Sequence, residues 1–177
     1  GIHSRTDFDL SQHEQYSGKK IRYFDADKNE SYIPYVIETS IGVDRMFLQV
    51  ISASYHEEEV VGANGEKDIR TVLRIPPALA PVKLAVLPLV KKDGQPEIAR
   101  AIIDSLKFDY MCQYEEKDSI GRRYRRQDAI GTPYCLTVDH QTLEDSTVTI
   151  RERDSMLQER ITVEQIAAVI NAKIRKV

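Results

Sequence analysis

A chain of 177 residues is long enough to bury a real core in one large or two small domains, and its 41% hydrophobic and 30% charged fractions are ordinary for a globular protein. The net charge of −3 argues against general affinity for nucleic acid, DNA included, so any RNA contact must be local and geometric. No apolar run approaches the roughly 18–20 residues that span a bilayer, and no basic-then-apolar leader opens the chain, so no membrane role is expected.

In chain order, Ile33–Ile37 reads as a strand and Gly42–Tyr55 as a helix with Val43, Phe47, Val50, Ile51 and Ser54 on one face. Glu57-Glu58-Glu59 reads as the start of a solvated loop, because acid at a helix C-terminus is mildly unfavourable. Val60–Lys67, with Gly62 and Asn64-Gly65, is a loop or hairpin. Leu73-Arg74-Ile75 then leads, extended, into Pro76-Pro77-Ala78-Leu79-Ala80-Pro81. Three prolines in six residues forbid a helix, which places a domain boundary at residues 76–81.

Beyond it the pattern alternates. Val82–Leu89 reads as a strand, and Pro96 suits the first turn of a helix that faces Ile98, Ile102 and Leu106 inward. Phe108–Tyr114 is a strand, Ser119–Ile130 a helix ended by Gly131, and Tyr134–Val138 and Thr147–Glu152 are strands. A last helix starts at Thr162, with Gln165 placed to close a capping box, and buries Val163, Ile166, Ala167, Ile170 and Ile174. The order predicts an α/β fold, a mixed sheet with helices packed against it. Cys112 and Cys135 sit in apolar runs without metal-ligand spacing and read as buried free thiols; His3, His13, His56 and His140 are scattered and read as surface or capping residues.

Two groups of residues carry chemistry. In the segment from Tyr35 to Leu48, a strand end meets a helix N-terminus through Glu38-Thr39-Ser40-Ile41-Gly42, and Arg45 lies in the first helical turn. Free backbone N–H groups, a positive dipole and a rigid guanidinium fork make an anion site suited to phosphate. An isolated Asp44-Arg45 pair would read as surface charge; the surrounding residues favour the site. The second group is Gly121-Arg122-Arg123-Tyr124-Arg125-Arg126-Gln127-Asp128, four arginines in five residues, with Ile120 and Tyr124 one turn apart and facing the core. Such planes stack on unpaired bases and fork onto phosphates, and Arg151 and Arg153 could extend the patch. The competing reading is a solvated helix paired with Glu115, Glu116 and Asp128, and the alternating signs of Arg151-Glu152-Arg153-Asp154 suggest internal ion pairing for part of the cluster.

Tyr35-Val36-Ile37-Glu38-Thr39-Ser40-Ile41-Gly42-Val43-Asp44-Arg45 resembles the third signature motif of class II aminoacyl-tRNA synthetases, most closely the glycyl-tRNA synthetase family. Arg5-Thr6-Asp7-Phe8-Asp9-Leu10 resembles that family's strand facing the amino-acid pocket. Leu79–Lys83, Gly121–Tyr124 and Arg151–Ser155 resemble its anticodon-binding domain. Thr39 stands where the family usually has proline. The resemblance implies a partial class II antiparallel sheet with the motif-3 helix over residues 1–75, a linker at 76–81, and a mixed-sheet α/β/α anticodon-binding domain over 82–177.

It further implies that Arg5 approaches the glycine carboxylate, that Glu38 through Gly42 line the glycine site, and that Gly42, Val43, Asp44 and Arg45 hold ATP, with Arg45 catalytic. Polar atoms of Glu38 and Ser40 packed against the glycine Cα would leave no room for a β-carbon, the selectivity a pocket for the smallest amino acid needs. Arg122, Arg123, Arg125, Arg126, Arg151 and Arg153 are the implied anticodon contacts. The intact enzyme would be a cytoplasmic homodimer using glycine, ATP and tRNA(Gly), with Mg²⁺ held by residues outside this chain. The missing first and second motifs, and an opening on Gly1-Ile2-His3 that looks like the middle of a domain, make the chain a C-terminal portion expected to be inactive alone. The alternatives are a prolyl-, threonyl- or histidyl-type synthetase, or a noncatalytic RNA-binding descendant.

Overall fold

The structure, a computed structural model, describes residues 1–61, 65 and 67–175. The chain divides into two compact units, Gly1–Gln49 and Val50–Val177.

The first unit holds β1 (Ile2–Ser4), α1 (Phe8–Ser17), β2 (Tyr23–Asp25), β3 (Glu30–Tyr32) and β4 (Ile37–Thr39). Antiparallel pairing of β1 with β4 sets His3 opposite Glu38 and Ile2 opposite Thr39. The ladder runs one step further, as the Arg5 N–H reaches Val36 O at 2.9 Å and the Val36 N–H reaches Thr6 O at 2.8 Å. Thr6, at φ 52°, then turns the chain away. The strand expected over Arg5–Leu10 is therefore corrected: pairing stops at Thr6 and a helix starts at Phe8. That helix has no buried residue and no apolar stripe, so its sequence carried no period to read. Its end is marked by Gly18, at φ 69°, whose N–H bonds to Glu14 O. The strand expected at Ile33–Ile37 lies later in the chain, with only Ile37 inside β4. Tyr23 and Tyr32 pair across β2 and β3 with rings edge to face, 5.8 Å apart.

The expected motif-3 helix is α2 (Val43–Ser54). Its inward face needs correction: Val43 is 80% and Phe47 68% exposed, Val50 and Ile51 are half-buried, and Ser54 is buried. An amphipathic stripe records the demand for a covering partner, and the described residues do not cover this one.

The second unit opens on an antiparallel hairpin of β5 (Tyr55–Val61) and β6 (Lys67–Leu73), with Glu58 opposite Arg70. Glu57–Glu59 thus lie in a strand rather than a loop, where Glu58 and Glu59 find Arg70 and Lys67 across the ladder. The hairpin alternative for Val60–Lys67 holds; its tip, residues 62–64 and 66, lies outside the described residues. Then follow β7 (Leu84–Pro88), α3 (Gln95–Leu106), β8 (Cys112–Tyr114), α4 (Ile120–Ile130), β9 (Tyr134–Val138), α5 (His140–Asp145), β10 (Thr147–Glu152), β11 (Gln158–Thr162) and α6 (Ile166–Ile174).

The sheet order is β11-β10-β9-β7-β8, with β7 parallel to β8 and β9, and β10 antiparallel to β9 and β11. Successive residues of β7 face opposite sides. Leu84 and Val86 join Leu136, Val148 and Ile150 beneath α3 and α6, while Ala85, Leu87 and Cys135 meet Ile120 and Tyr124 of α4. The expected mixed-sheet α/β/α domain is present. Three details differ: β8 keeps only the end of the strand expected from Phe108, with Phe108 itself exposed; Ala167 is exposed; and α5 and β11 were not foreseen. Gly131 caps α4 at φ 84°, and a Cβ there would lie 3.1 Å from Leu73 O, so glycine is required twice over. Gln165 Oε1 accepts the Thr162 N–H at 3.2 Å, as a capping box needs. The packing break at Gln49 precedes the proline segment expected as the boundary, since β6 lies along α4 and Ile75 and Ala80 are buried.

Burial pushes the Cys135 thiol up to about 12, and also raises half-buried Cys112; both are free and protonated at neutral pH.

Asp139 caps α5, accepting the Thr142 N–H at 3.1 Å, and forks onto Arg160 at 2.7 and 2.8 Å. The hydrogen bond from Arg160 holds its carboxyl at about 2, below the ordinary 3.8, against a smaller opposing effect of burial. A depressed carboxyl stabilises the fold above its unfolded value and loses that contribution as pH falls through the folded one. Asp139→Asn is therefore expected to lower stability by about 2 kcal/mol at pH 7, with the gap to the parent closing between pH ~4 and ~2. Urea midpoints of both proteins across that range check it; a constant gap would sink the assignment.

Candidate functional site

In the first unit, a hollow of about 550 Å³ opens at the start of α2, lined by Gly1, His3, Ser40, Gly42, Arg45 and Gln49 among others. Ser40 and Arg45 therefore share one concavity. Met46 donates to Gly42 O at 3.0 Å, which sets Gly42 at the helix entrance and leaves the preceding N–H groups of the first turn without helical acceptors. Among the described residues no carboxylate lies within ion-pair distance of Arg45. Glu38 follows the β1 face that carries His3, and its carboxylate stands 3.6 Å from Arg5 Nε. Arg5 itself forks onto Asp9 at 2.8 and 2.9 Å, which raises its own pKa and depresses that of Asp9. Arg5 and Glu38 are thus brought together beside Asp9. Thr39, on the opposite strand face, pairs with Ile2, and Ile41, Val43 and Asp44 are exposed. His3, read from sequence as a surface or capping residue, is exposed and also lines the hollow.

In the second unit, three of the six candidate RNA-binding arginines are corrected, because their guanidinium groups are buried and bonded within the fold, Arg123 through both Nη atoms. Arg123, 2% exposed, donates to Pro88 O at 2.6 Å and to Leu89 O and Glu115 O at 3.3 Å, tying α4 to the ends of β7 and β8. Burial lowers its pKa, with no carboxylate within ion-pair distance among the described residues. Arg151 forks onto Asp128 at 2.8 and 3.1 Å and lies 4.8 Å over the Tyr124 ring. Burial works against its charge, yet Asp128 more than offsets this and the pKa is raised. Arg153 bonds to Gly131 O at 2.9 Å and forks onto Asp154. Arg70 of β6 completes this buried cluster, reaching Asp128 at 2.9 Å and Glu58 at 3.1 Å.

The remaining three lie at the surface. Arg126 pairs with Glu115 and Asp118 and donates to Lys117 O. Arg125 reaches Asp68 at 3.1 Å through Nη2. Arg122 is exposed, and among the described residues it has no ion pair. The accessible basic surface is therefore the outer side of α4, narrower than the arginine count implied. Among the described residues no cluster of His, Cys, Asp and Glu is placed to hold a metal ion, and no helix is long and apolar enough to cross a membrane.

Comparison with known proteins matches this geometry to a family. Residues 83–173 match the anticodon binding domain. Over 98% of its length the chain is 52% identical to the glycine–tRNA ligase of Chlorobaculum tepidum and 54% identical to that of Ruminiclostridium cellulolyticum, covering 36% of each. It is 49% identical to the Treponema denticola glycine–tRNA ligase over 99% of the chain and 39% of the relative. The resemblance to glycyl-tRNA synthetases is borne out along nearly the whole chain, which spans little more than a third of these relatives' length. Among solved structures, prolyl-tRNA synthetase from Cryptosporidium parvum aligns with TM-score 0.54 at 17% identity, over 67% of this chain and 31% of that one. The RNA binding domain of threonyl-tRNA synthetase from the same organism aligns with TM-score 0.52 at 21% identity, over 56% of this chain and 25% of that one. At such identities the likeness speaks for the fold alone. With more than half of its residues in the matched domain, the chain belongs to the anticodon-binding-domain family.

Proposed function

We propose that these residues are part of a glycine–tRNA ligase that activates glycine with ATP to glycyl-adenylate and transfers it to tRNA(Gly). The observation that carries the reading is identity of about half over 98–99% of the chain to three such ligases. In this reading the second unit contacts the anticodon loop through the outer arginines of α4: exposed Arg122 and half-buried Arg125 and Arg126. The first unit contributes Ser40, Gly42 and Arg45 to the site for glycine and ATP, with Arg45 and the start of α2 supporting the terminal phosphate. Glu38 and Arg5 form the neighbouring polar wall. Mg²⁺ would be held by residues other than those described, so no step is assigned to it. On the same reading the working protein is a cytoplasmic homodimer.

The test is charging by the full-length ligase that contains this segment. Glycine is expected to be attached to tRNA(Gly), with proline, threonine and histidine left unattached to their own tRNAs. Charging of another of these pairs would replace the assignment, and none would leave a noncatalytic RNA-binding protein.

A further inference from the structure

A second hollow, of about 250 Å³, opens where β9 begins and β10 ends, and its walls include Tyr134, Ile150, Glu152, Leu157, Glu159 and Lys173. Strand pairing sets Tyr134 opposite Glu152 and Ile150 opposite Glu159, so these four side chains share one face of the sheet. It is the face that α3 and α6 cover, opposite to α4 and its arginines. Two polar groups here lack the partners that burial calls for. Tyr134 is 3% exposed, yet among the described residues its hydroxyl has no hydrogen-bond partner, whereas a buried tyrosine usually finds one. Burial, helped by the neighbouring Glu152 charge, raises its pKa, so the phenol stays protonated at neutral pH. Glu152 is half-buried and has no ion pair among the described residues; its side chain accepts only the Ser155 hydroxyl, at 2.6 Å. The nearby cations are committed elsewhere. Lys173, 6.0 Å from the centre of the Tyr134 ring, pairs with Glu159 at 3.1 Å, and Arg153 is held by Asp154 and Gly131 O. The charge left uncompensated is that of Glu152.

We propose that this hollow binds the primary ammonium group of a small aliphatic amine, which donates to Glu152 and to the Tyr134 hydroxyl oxygen while its stem lies along Ile150 and Leu157. An ammonium carries three donors and no acceptor, and a carboxylate beside a phenol oxygen offers it two acceptors at once. Partial burial makes such a charge-assisted bond stronger than it is in water, and the apolar walls take the stem. A metal ion fits less well, because among the described residues no cluster of His, Cys, Asp and Glu is placed to hold one. The site lies wholly in the second unit and needs nothing from the ligase reading.

The full-length protein that contains this segment is isotopically labelled at the tyrosine ζ carbon, whose NMR signal responds to what the hydroxyl bonds. Tyr134→Phe assigns the Tyr134 signal by deleting it, and should leave the melting temperature as in the parent, since the fold loses no hydrogen bond. Titration with n-propylamine at constant pH and ionic strength is expected to move that signal saturably, with a Kd of roughly 1 mM, as suits so small a ligand. Glu152→Gln is expected to weaken binding by about tenfold or more, the loss of one charge-assisted bond. γ-Aminobutyrate distinguishes two sources of the ammonium. Tighter binding than n-propylamine names an amino acid, whose carboxylate Lys173 can meet; equal or weaker binding names a simple amine, and both support the site. A shift of the same size from propionate or sodium chloride overturns the proposal. So does the absence of a saturable shift, or a Kd that Glu152→Gln leaves unchanged.

Discussion

On the proposed ligase function, Arg45→Ala in the full-length protein is expected to lower glycine-dependent ATP–pyrophosphate exchange by about 10²–10³-fold, the usual loss when one preorganised charge on a transition state is removed. The argument begins with position. Arg45 sits in the first turn of α2, where unpaired backbone N–H groups and the helix dipole already favour an anion. It shares its hollow with Ser40 and Gly42, and among the described residues no carboxylate competes for its guanidinium. Arg5 differs in this respect, being engaged by Asp9 and close to Glu38. Of the two arginines, Arg45 is the one whose charge the chain leaves available to a phosphate. Arg45→Lys should restore little, because an ammonium is a point charge and cannot fork onto two phosphate oxygens. The loss should appear in kcat/KM for ATP, with tRNA binding measured separately as a control on folding. Exchange within a few-fold of the parent would remove Arg45 from the reaction and would leave the hollow as a surface feature.

The parts of the fold that were legible share one property: their partners lie within the chain. β7, β9 and β10 and the helices α3 and α4 have apolar periods that match what they bury, and they fall close to where periodicity puts them. α5 has six residues, too few to show a period, and β11 is an edge strand whose Gln158-Glu159-Arg160 are mostly outside the core. α2 was found as a helix and misjudged in burial, because period reports the shape of an apolar face and says nothing of what covers it. The arginines are the sharper case. Ile120, Arg123, Tyr124 and Gln127 stand at i, i+3, i+4 and i+7, one stripe of a helix, so the inward placement of Arg123 was implicit in the spacing that put Tyr124 in the core. Composition drew attention to the charge; position along the helix decided its role. Arg151 follows the same rule on β10, Arg153 lies just past the strand's end, and the alternating signs indicated pairing for both. What spacing could not supply was Arg70, whose partnership with Asp128 joins residues 58 positions apart in the chain.

That partnership carries the second large expected effect. Asp128 is fully buried, and its two carboxylate oxygens are the acceptors for two arginines that are themselves buried, Arg70 and Arg151. Asp128→Ala would leave Arg151 inside the fold with no counter-charge among the described residues and would take one of two from Arg70, which keeps Glu58 and the carbonyl of Arg153. Breaking a buried ion pair by removing one partner costs about 3–5 kcal/mol, because the surviving charge remains desolvated. For a unit of this size the loss corresponds to a fall in melting temperature of about 10–15 °C. Arg151→Met should cost less, since Asp128 retains Arg70 and the methionine can still pack on the Tyr124 ring. In the double variant Asp128→Ala, Arg151→Met one stranded charge is gone, so stability is expected to recover relative to Asp128→Ala alone. This non-additivity is what distinguishes a charge cluster from ordinary packing. Urea unfolding of the four proteins measures it directly. If Asp128→Ala shifts the free energy by less than about 1 kcal/mol, or the two substitutions simply add, the hairpin is held to α4 by apolar contact and the ion cluster is incidental.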